Sequence, residues 1–431
     1  MPAVKSTNLN ANLDVVTLHS TAKVVASTLS EPPDGGLTAW LNVVGSFFLV
    51  FNTWGIINAF GAYQTYYSSG DLFSASSSSV SWIGSIETCL LLTTGFLSGP
   101  FFDRGGLQTL LVTGCFLIVF GHMMLSICKT YWQVMMAQGV VIGLGTGCLF
   151  VPCVAILPQY FKLRMGLASG LAIGGSSIGG IIYPIVFYRL LDNIGFPWAV
   201  RTVGFIALAT LIVPISLLRM RVKPAKARTL VDWSAFKDAD FVSLVAVGFL
   251  AYTGLFVLLF YISLFAADSM ITDVSLAFYL VAIFNAGSFV GRTVPNALAD
   301  KTGPFDIISA GAFLVSVFEL CMIAVDNQAG LIALSVVAGI FSGILIGILP
   351  LCFITLTTDK SKIGTRVGMG FALLSLGVLC GGPGAGAILG LNEGSNWTGV
   401  WVFAGVVTCV SGLGFLALRI KVYGMKSILK A

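Results

Sequence analysis

The sequence predicts an all-α integral membrane protein with twelve transmembrane helices. Hydrophobic residues make up 57% of its 431 residues, charged residues make up only 10%, and the mean hydropathy is +0.96. A water-soluble domain of this composition would expose large apolar patches. Twelve apolar stretches reach the ~20 residues that a helix needs to cross a bilayer, and none alternates strictly like a membrane β-strand. We expect the spans at 39–62, 80–100, 108–128, 131–157, 168–189, 198–218, 241–261, 276–298, 305–325, 330–356, 367–389 and 398–418.

The distribution of Lys and Arg predicts the orientation. With both termini in the cytoplasm, 19 of the 23 Lys and Arg residues fall on the cytoplasmic side, as the positive-inside rule requires. The expected organisation is a tail at 1–38, a six-helix half at 39–218, a basic linker at 219–240, a second half at 241–418 and a tail at 419–431. The net charge of +5 therefore follows from topology and predicts no nucleic-acid partner. The expected location is the plasma membrane.

Three landmarks recur along the chain and predict an internal repeat. They are a loop of the form Asp-basic-x-Gly, a proline within a span and an arginine before a span. The pairs are Asp103-Arg104-x-Gly106 with Asp300-Lys301-x-Gly303, Pro152 with Pro350, and Arg164 with Arg366. Their offsets of 197, 198 and 202 residues are nearly equal. Two six-helix halves of the same topology explain this pattern.

Parallel halves of six helices make the chain resemble the major facilitator superfamily from end to end. That resemblance implies a secondary transporter whose halves rock about a site near the bilayer midplane. Two segments narrow the resemblance to the monocarboxylate porter family: Pro33–Trp40 (PDGGLTAW) and Tyr160–Ala172 (YFKLRMGLASGLA). The segments 60–67 and 285–288 are similar to the fungal branch. Its members carry carboxylates, riboflavin or secondary metabolites.

Arg292 is the first candidate for the substrate site, because a charge within a span is costly and usually has a function. The resemblance implies that it anchors a substrate carboxylate, for which a guanidinium offers a bidentate fork. The alternative is a structural Arg that reaches the interface or pairs with Asp300. The family has an Asp where this chain has Ser288 and a Lys where it has Asn58. We assign both, with Asn285, to the substrate site.

Other ionisable residues in the spans have weaker cases. Glu87 in span two is the candidate for proton coupling, because burial can raise the pKa of a carboxyl toward neutrality; the alternative is that it faces the outer interface. Arg201, near the outer end of span six, is expected at an outer vestibule and is a minor candidate for substrate binding. Glu319 in span nine is expected to be peripheral to transport.

The loops after spans two and eight predict a gate. Asp103, Arg104 and Gly106 resemble the superfamily's loop between helices two and three, and Asp300 and Lys301 repeat it. An Asp at a helix end can accept hydrogen bonds from the N-terminus of a neighbouring helix and release them on tilting. The alternative is a simple basic turn on the cytoplasmic face.

Glycines at four-residue spacing predict close helix contacts. They are Gly166, Gly170 and Gly174 in span five and Gly287 and Gly291 in span eight. Small residues at this spacing let helix backbones approach. In the superfamily architecture, spans five and eight face each other across the two halves, as do spans two and eleven.

The sequence favours a transporter over other classes. The two histidines, His19 and His122, have no metal spacing or nucleophile nearby, and no P-loop is present; an enzyme, a metal site and a cofactor are not expected. A transport-dead sensor is the alternative from another class. The sequon at Asn396 lies too close to span twelve for efficient glycosylation.

Within the transporter class, we expect export of a small organic secondary metabolite. The alternative is proton-coupled uptake of a monocarboxylate or a riboflavin-like vitamin. Export is favoured because neutral residues replace the family's coupling pair at Ser288 and Asn58. The expected partners are a small organic substrate, neutral or anionic, and the lipid bilayer, and a monomer suffices.

Overall fold

The computed structural model describes residues 32–221, 228–391 and 395–424, without the side chains of 296–298, 300, 301 and 360. The helices are α1 (Leu37–Asn58), α2 (Phe60–Ser68), α3 (Ser77–Asp103), α4 (Leu107–Leu125), α5 (Tyr131–Val134), a π-helix (Met135–Ile142), α6 (Gly143–Ala155), α7 (Met165–Leu217), α8 (Ala239–Asp268), α9 (Val274–Thr302), α10 (Pro304–Cys321), α11 (Gln328–Leu356), α12 (Ile363–Leu389) and α13 (Trp397–Tyr423).

The described residues contain eleven helical stretches that are long and apolar enough to cross a membrane. The longest, α7, has 53 residues and includes predicted spans five and six. Its path breaks at Gly195, where φ is 74° and ψ is 168°, a conformation that suits glycine. Two crossings joined at Gly195 are consistent with the predicted twelve.

Span one and span seven extend further than hydropathy predicts. Helix α1 continues through Ala59 into α2 and ends at Ser68, instead of at 62, and α8 continues to Asp268, instead of 261. The extension of span one contains the polar residues Gln64 and Thr65, which neighbouring helices bury. A hydropathy threshold ends a span at such residues although the helix continues.

The two halves meet along two pairs of helices. Helix α3 packs along α12, and α7 packs along α9, which confirms the expected pairing of spans two with eleven and five with eight. Within the first half α1 packs along α7, and within the second α9 packs along α11. The α9 glycines lie directly against the α11 backbone, Gly287 at Val336 and Gly291 at Ile340.

The glycine prediction for span five is confirmed at Gly174 and is wrong at Gly166 and Gly170. A side chain at Gly166 or Gly170 would meet nothing within 4 Å, whereas one at Gly174 would lie 2.8 Å from the ring of Phe289 in α9. The closest approach of α7 to α1 occurs at Gly179, which the four-residue spacing does not include: a Cβ built on Gly55 would lie 2.7 Å from the Gly179 Cα. A run of many glycines does not reveal which helix face meets the neighbour.

Candidate functional site

A cavity of about 430 Å³ lies between the two halves. Eight helices line it: α1, α3, α6, α7, α8, α9, α11 and α12. It reaches the end of the bundle where residues 228–230 lie, which we call the linker side; the opposite end is the far side. Its charged and hydroxyl-bearing lining residues are Arg292, Tyr252, Arg228, Thr229 and Thr365. An apolar pocket with a few polar groups is typical of small-molecule sites.

Arg292 lies in the cavity wall and joins the two halves. Its side chain is 2% exposed. Its Nε donates to Ser288 Oγ at 3.1 Å, one turn earlier on α9, and its Nη1 donates to Ser176 Oγ at 2.5 Å on α7. Ser288 therefore orients the guanidinium from its own helix, while Ser176 holds it from the other half.

Asn58 and Asn285 are fully buried but are not among the cavity-lining residues. Asn285 donates to the carbonyl of Val281 at 2.8 Å, and its Oδ1 has no hydrogen-bond partner among the described residues. Its amide lies against Gly180 of α7, in the contact between halves. Neither amide atom of Asn58 has a partner in the described part of the chain.

Glu87 belongs to a buried polar cluster within the first half. Its side chain is 1% exposed, so it does not face the outer interface. Gln138 donates to Glu87 Oε2 at 3.3 Å and accepts from the Tyr67 hydroxyl at 2.7 Å. Gln138 lies in the π-helix Met135–Ile142, and such π segments are frequent at functional sites.

Arg201 and Glu319 lie away from the cavity lining. Arg201 donates from Nε to Ser126 Oγ at 3.0 Å, and its guanidinium carbon is 4.9 Å from the ring centre of Trp198. All three residues belong to the first half. Glu319 is fully buried on α10, which packs along α13.

Hydroxyl groups of α3 close the far side against α12. Ser78 Oγ donates to the carbonyl of Pro383 at 2.9 Å, and Ser85 Oγ donates to that of Val378 at 3.0 Å. Ser81 Oγ lies 2.5 Å from the hydroxyl of Tyr261, which itself donates to the Gly382 carbonyl at 3.0 Å. We call this set of contacts the far seam.

On the linker side, Asp103 binds Arg228. The Arg228 side chain donates from Nε to Asp103 Oδ2 at 2.7 Å and from Nη2 to Oδ1 at 2.8 Å, and its backbone N donates to Oδ2 at 3.0 Å. The sequence led us to expect that Asp103 accepts hydrogen bonds from the N-terminus of a neighbouring helix, and in this structure its partner is Arg228. A bidentate guanidinium in the linker satisfies the carboxylate instead.

Arg228 also separates the two halves. A Cβ built on Gly99 of α3 would lie 3.4 Å from Arg228 Cδ, and one built on Gly364 of α12 would lie 2.8 Å from its Nη1. The next residue, Thr229, accepts a hydrogen bond through its carbonyl from Thr365 Oγ1 at 2.7 Å. The linker therefore crosses the mouth of the cavity between α3 and α12.

The linker then attaches to the second half through Asp232 and Asp238. Arg366 donates to Asp232 at 3.1 Å and to Asp238 at 2.7 Å, and Lys362 donates to Asp232 at 3.3 Å. Hydrogen bonds from Ser234, Arg366 and Lys362 lower the pKa of Asp232 from 3.8 to about 2. This carboxylate therefore stays ionised at physiological pH.

The remaining gate residues are placed as follows. Arg104 is exposed, and the ring of Phe101 occupies the space where a side chain at Gly106 would lie. Gly105, not Gly106, has the positive φ of 95°. The side chains of Asp300 and Lys301 lie outside the described residues. The suggested pairing of Arg292 with Asp300 therefore stays a prediction.

The two segments that resemble the monocarboxylate porter family contact each other. Asp34 Oδ1 accepts from the backbone N of Lys162 at 2.6 Å, of Leu163 at 2.7 Å and of Arg164 at 3.4 Å. These bonds lower the pKa of Asp34. Trp40 packs edge-on against Phe161, with ring centres 5.2 Å apart. The first segment therefore caps the turn that leads into α7.

Asn396 is used structurally. Its side chain accepts from the backbone N of Gly399 at 3.0 Å and caps α13, while the adjacent Trp397 donates to Asp268 Oδ2 at 2.6 Å. An N-cap in this position agrees with the expectation of poor glycosylation, which stays a prediction. No group of three or more potential metal-binding side chains occurs within residues 32–221, 228–391 and 395–424.

Sequence reasoning missed the partners that position the predicted residues. Ser176 holds Arg292, Gln138 holds Glu87 and Arg228 holds Asp103. Gln138 could have been identified from the sequence, because a side-chain amide within an apolar span must find a hydrogen-bond partner. Ser176 and Arg228 could not have been identified in this way, because their partners Arg292 and Asp103 lie 116 and 125 residues away in the sequence.

Comparisons with known proteins agree with this architecture. The Major Facilitator Superfamily model matches residues 43–323. The MFS-type transporter dbaD of Emericella nidulans is 58% identical over 379 residues, covering 88% of this chain and 85% of the relative. The aspyridones efflux protein apdF of the same organism is 38% identical, covering 89% and 78%. The MFS-type transporter pynF of Aspergillus niger is 38% identical, covering 87% and 86%.

These relatives are named as transporters, not as enzymes. Their alignments cover most of both chains, and the family model matches more than half of this one. The helical halves and the cavity between them fit the same assignment. The chain belongs to the Major Facilitator Superfamily and is a multi-pass membrane transporter.

Proposed function

We propose that this protein exports a small organic secondary metabolite from the cytoplasm. The observation that carries the proposal is the apolar cavity of about 430 Å³, which reaches the linker side and is closed by the far seam. The linker side carries the basic residues that the positive-inside rule assigns to the cytoplasm. The efflux protein apdF, 38% identical over 386 residues, supports the same direction.

Arg292 is proposed to anchor an anionic or hydrogen-bond-accepting group of the substrate. The substrate group takes the place of the Ser176 hydroxyl, while Ser288 keeps the guanidinium oriented. Because Ser176 and Arg292 belong to different halves, the exchange removes a contact between them. Substrate binding is thereby coupled to the movement of the halves.

Asp103 and Arg228 are proposed to form the cytoplasmic gate. In this conformation Arg228 lies between Gly99 and Gly364 and keeps α3 and α12 apart at this level, whereas one turn further in Phe96 of α3 already lies against Gly368 of α12. Departure of the Arg228 side chain lets these glycines approach, and the cavity closes to the cytoplasm. The far seam then opens, and the substrate leaves on the other side.

Glu87 is proposed to carry the proton that drives export. Its Oε1 has no partner among the described residues, and Gln138 can donate to the ionised form or accept from the protonated one. Gln138 can therefore hydrogen-bond to Glu87 in both its ionised and its protonated form. Exchange of a proton for the substrate needs such a group.

Transport into inside-out vesicles tests the direction. These vesicles expose the cytoplasmic face, and the probes are a panel of radiolabelled aromatic acids that includes 2-naphthoate. Export predicts accumulation that an acidic interior increases and that Arg292→Lys removes. Accumulation confined to right-side-out vesicles would reverse the proposed direction and favour the uptake alternative.

A further inference from the structure

Four aromatic rings line the cavity, two from each half. Trp54 of α1 and Phe150 of α6 come from the first half, and Tyr252 of α8 and Phe371 of α12 come from the second. We propose that these rings form an aromatic frame that selects a flat, conjugated substrate with one acidic group at its end. This proposal rests on the proposed function and specifies its substrate class.

The rings form one connected chain. Ring centres are 6.1 Å apart for Trp54 and Phe150, 6.4 Å for Phe150 and Phe371, and 6.3 Å for Phe371 and Tyr252. All three pairs are edge-to-face, with interplanar angles of 67°, 70° and 67°. Phe150 is partly exposed, whereas Trp54 and Phe371 are 6% and 5% exposed and Tyr252 is fully buried. A planar ligand can therefore stack on Phe150 and contact the accessible edges of Trp54 and Phe371.

The polar groups of the cavity specify where the ligand carries its charge. The polar side-chain groups in the membrane-spanning part of the wall include Arg292, the Tyr252 hydroxyl and the Trp54 indole N–H. The Tyr252 hydroxyl is fully buried and makes no hydrogen bond to any described residue. A buried hydroxyl without a partner is costly, and a ligand oxygen held by Arg292 could accept a hydrogen bond from it. Most of the other lining side chains are apolar and offer apolar contact to the rest of the ligand.

The volume of the cavity argues against a very small monocarboxylate as the substrate. A three-carbon acid would leave most of the 430 Å³ to water against apolar walls, which is unfavourable. A fused ring system fills the space and contacts both halves at once. Because Phe150 and Phe371 belong to different halves, the ligand bridges the two bodies that must move together.

A matched pair of probes tests the frame: 2-naphthoate and decahydro-2-naphthoate. Both have the same carbon skeleton and carboxylate, but only the first is flat and conjugated. Binding to the purified full-length protein in nanodiscs is measured by calorimetry. Wild type is expected to prefer 2-naphthoate about tenfold, because each aromatic contact contributes about 0.5–1.5 kcal/mol, or roughly two- to twelvefold.

Ring-removing variants then assign the preference to the frame. Phe150→Leu and Phe371→Leu are each expected to lower the ratio to about threefold or less, whereas Phe371→Tyr keeps a ring and retains it. Phe116→Leu is the matched control, because Phe116 is 63% exposed on α4 and stacks on Phe120 outside the cavity. Thermal unfolding of each variant checks that it is folded.

Two results would overturn the frame: equal binding of both probes by wild type, or an unchanged ratio in both folded Leu variants. Vesicle flux separates this outcome from failure of the proposed function. A tenfold preference without any flux would retain the frame and reject transport. Directed flux without a preference would retain export and reject the frame.

Discussion

Helices α3 and α12 face each other along their length, but the two ends of this interface differ. At the far end, the serines of α3 bond directly to the α12 backbone at Val378 and Pro383. At the linker end, Gly99 and Gly364 contact the Arg228 side chain instead of each other. Small residues therefore occupy both ends, and one inserted guanidinium distinguishes the open end from the closed one.

This comparison gives alternating access a specific physical form. The far seam consists of neutral hydrogen bonds, each contributing about 0.5–1.5 kcal/mol. The linker end is held by a charge-assisted pair, Asp103 with Arg228, in which each bond contributes about 1.5–3 kcal/mol. Apolar packing adds to the far end, where the buried rings of Phe60 and Phe260 meet across the halves at 4.8 Å between ring centres.

The largest expected effect on transport is that of Arg292→Lys. A lysine keeps the charge but loses the fork that bonds Ser288 and Ser176 together. We expect uptake into inside-out vesicles to fall ten- to hundredfold, with normal folding and membrane delivery. Ser288→Ala, which removes only the orienting hydroxyl, should cost less. Normal flux in Arg292→Lys would remove this residue from the site.

The second prediction concerns a variant that should hold the far end of the α3–α12 interface open. A Cβ at Gly386 would lie 2.5 Å from the backbone of Ser78, so Gly386→Val should prevent closure of the far seam. Overpacking of this kind costs about 1–3 kcal/mol, which shifts the balance between conformations roughly five- to 150-fold.

A thiol reagent that cannot cross membranes measures this shift. Applied from the far side, it should label a cysteine at Ser85 faster in Gly386→Val. Gly384→Val is the control on the same helix, because its nearest atoms are 3.7 Å away in the Phe403 ring. Equal labelling in both variants would show that Gly386 does not limit closure.

The third prediction concerns the linker end. Arg228→Ala removes the side chain between Gly99 and Gly364 and leaves Asp103 without its bidentate partner. We expect the cytoplasmic side to close more often, and the labelling of Cys153 in the cavity wall from that side to slow about three- to tenfold. Arg104→Ala, which changes an exposed neighbour, should leave it unchanged. Unchanged labelling in Arg228→Ala would contradict the gate.

The fourth prediction concerns pH. Asp232 has its pKa lowered to about 2, so its contribution to stability is present above its ordinary pKa of 3.8 and is lost as the pH falls through about 2. The attachment of the linker to Arg366 therefore stays constant between pH 5 and 8. A pH dependence of flux in this range is expected to come from Glu87 and to vanish in Glu87→Gln.

Glu319→Gln is the matched control, because Glu319 is equally buried but lies away from the cavity. Flux is measured at several pH values on both sides of the vesicle membrane. A pH profile that is the same in Glu87→Gln and wild type would clear Glu87 of the coupling role.

The sequence predicted the membrane class, the helical repeat and the pairing of spans two with eleven and five with eight, because these follow from hydropathy and from recurring landmarks. It also identified Arg292, since an isolated charge in a span is conspicuous. It could not predict that Asp103 binds Arg228, because the pair depends on the path of the linker. The four frame rings were not singled out either, because the chain has 32 Phe, 11 Tyr and 8 Trp, and only the folded structure shows which of them line the cavity.

The most direct test of the account is a pair of distances across α3 and α12. Spin labels at Phe101 and Ser361 report the linker end, and labels at Ser76 and Leu391 report the far end; these residues are exposed. Pulsed electron resonance measures both distances with and without 2-naphthoate. If the probe drives closure of the linker end and opening of the far end, the linker-end distance shortens and the far-end distance lengthens. Changes of the same sign at both ends, or no change at either, would contradict it.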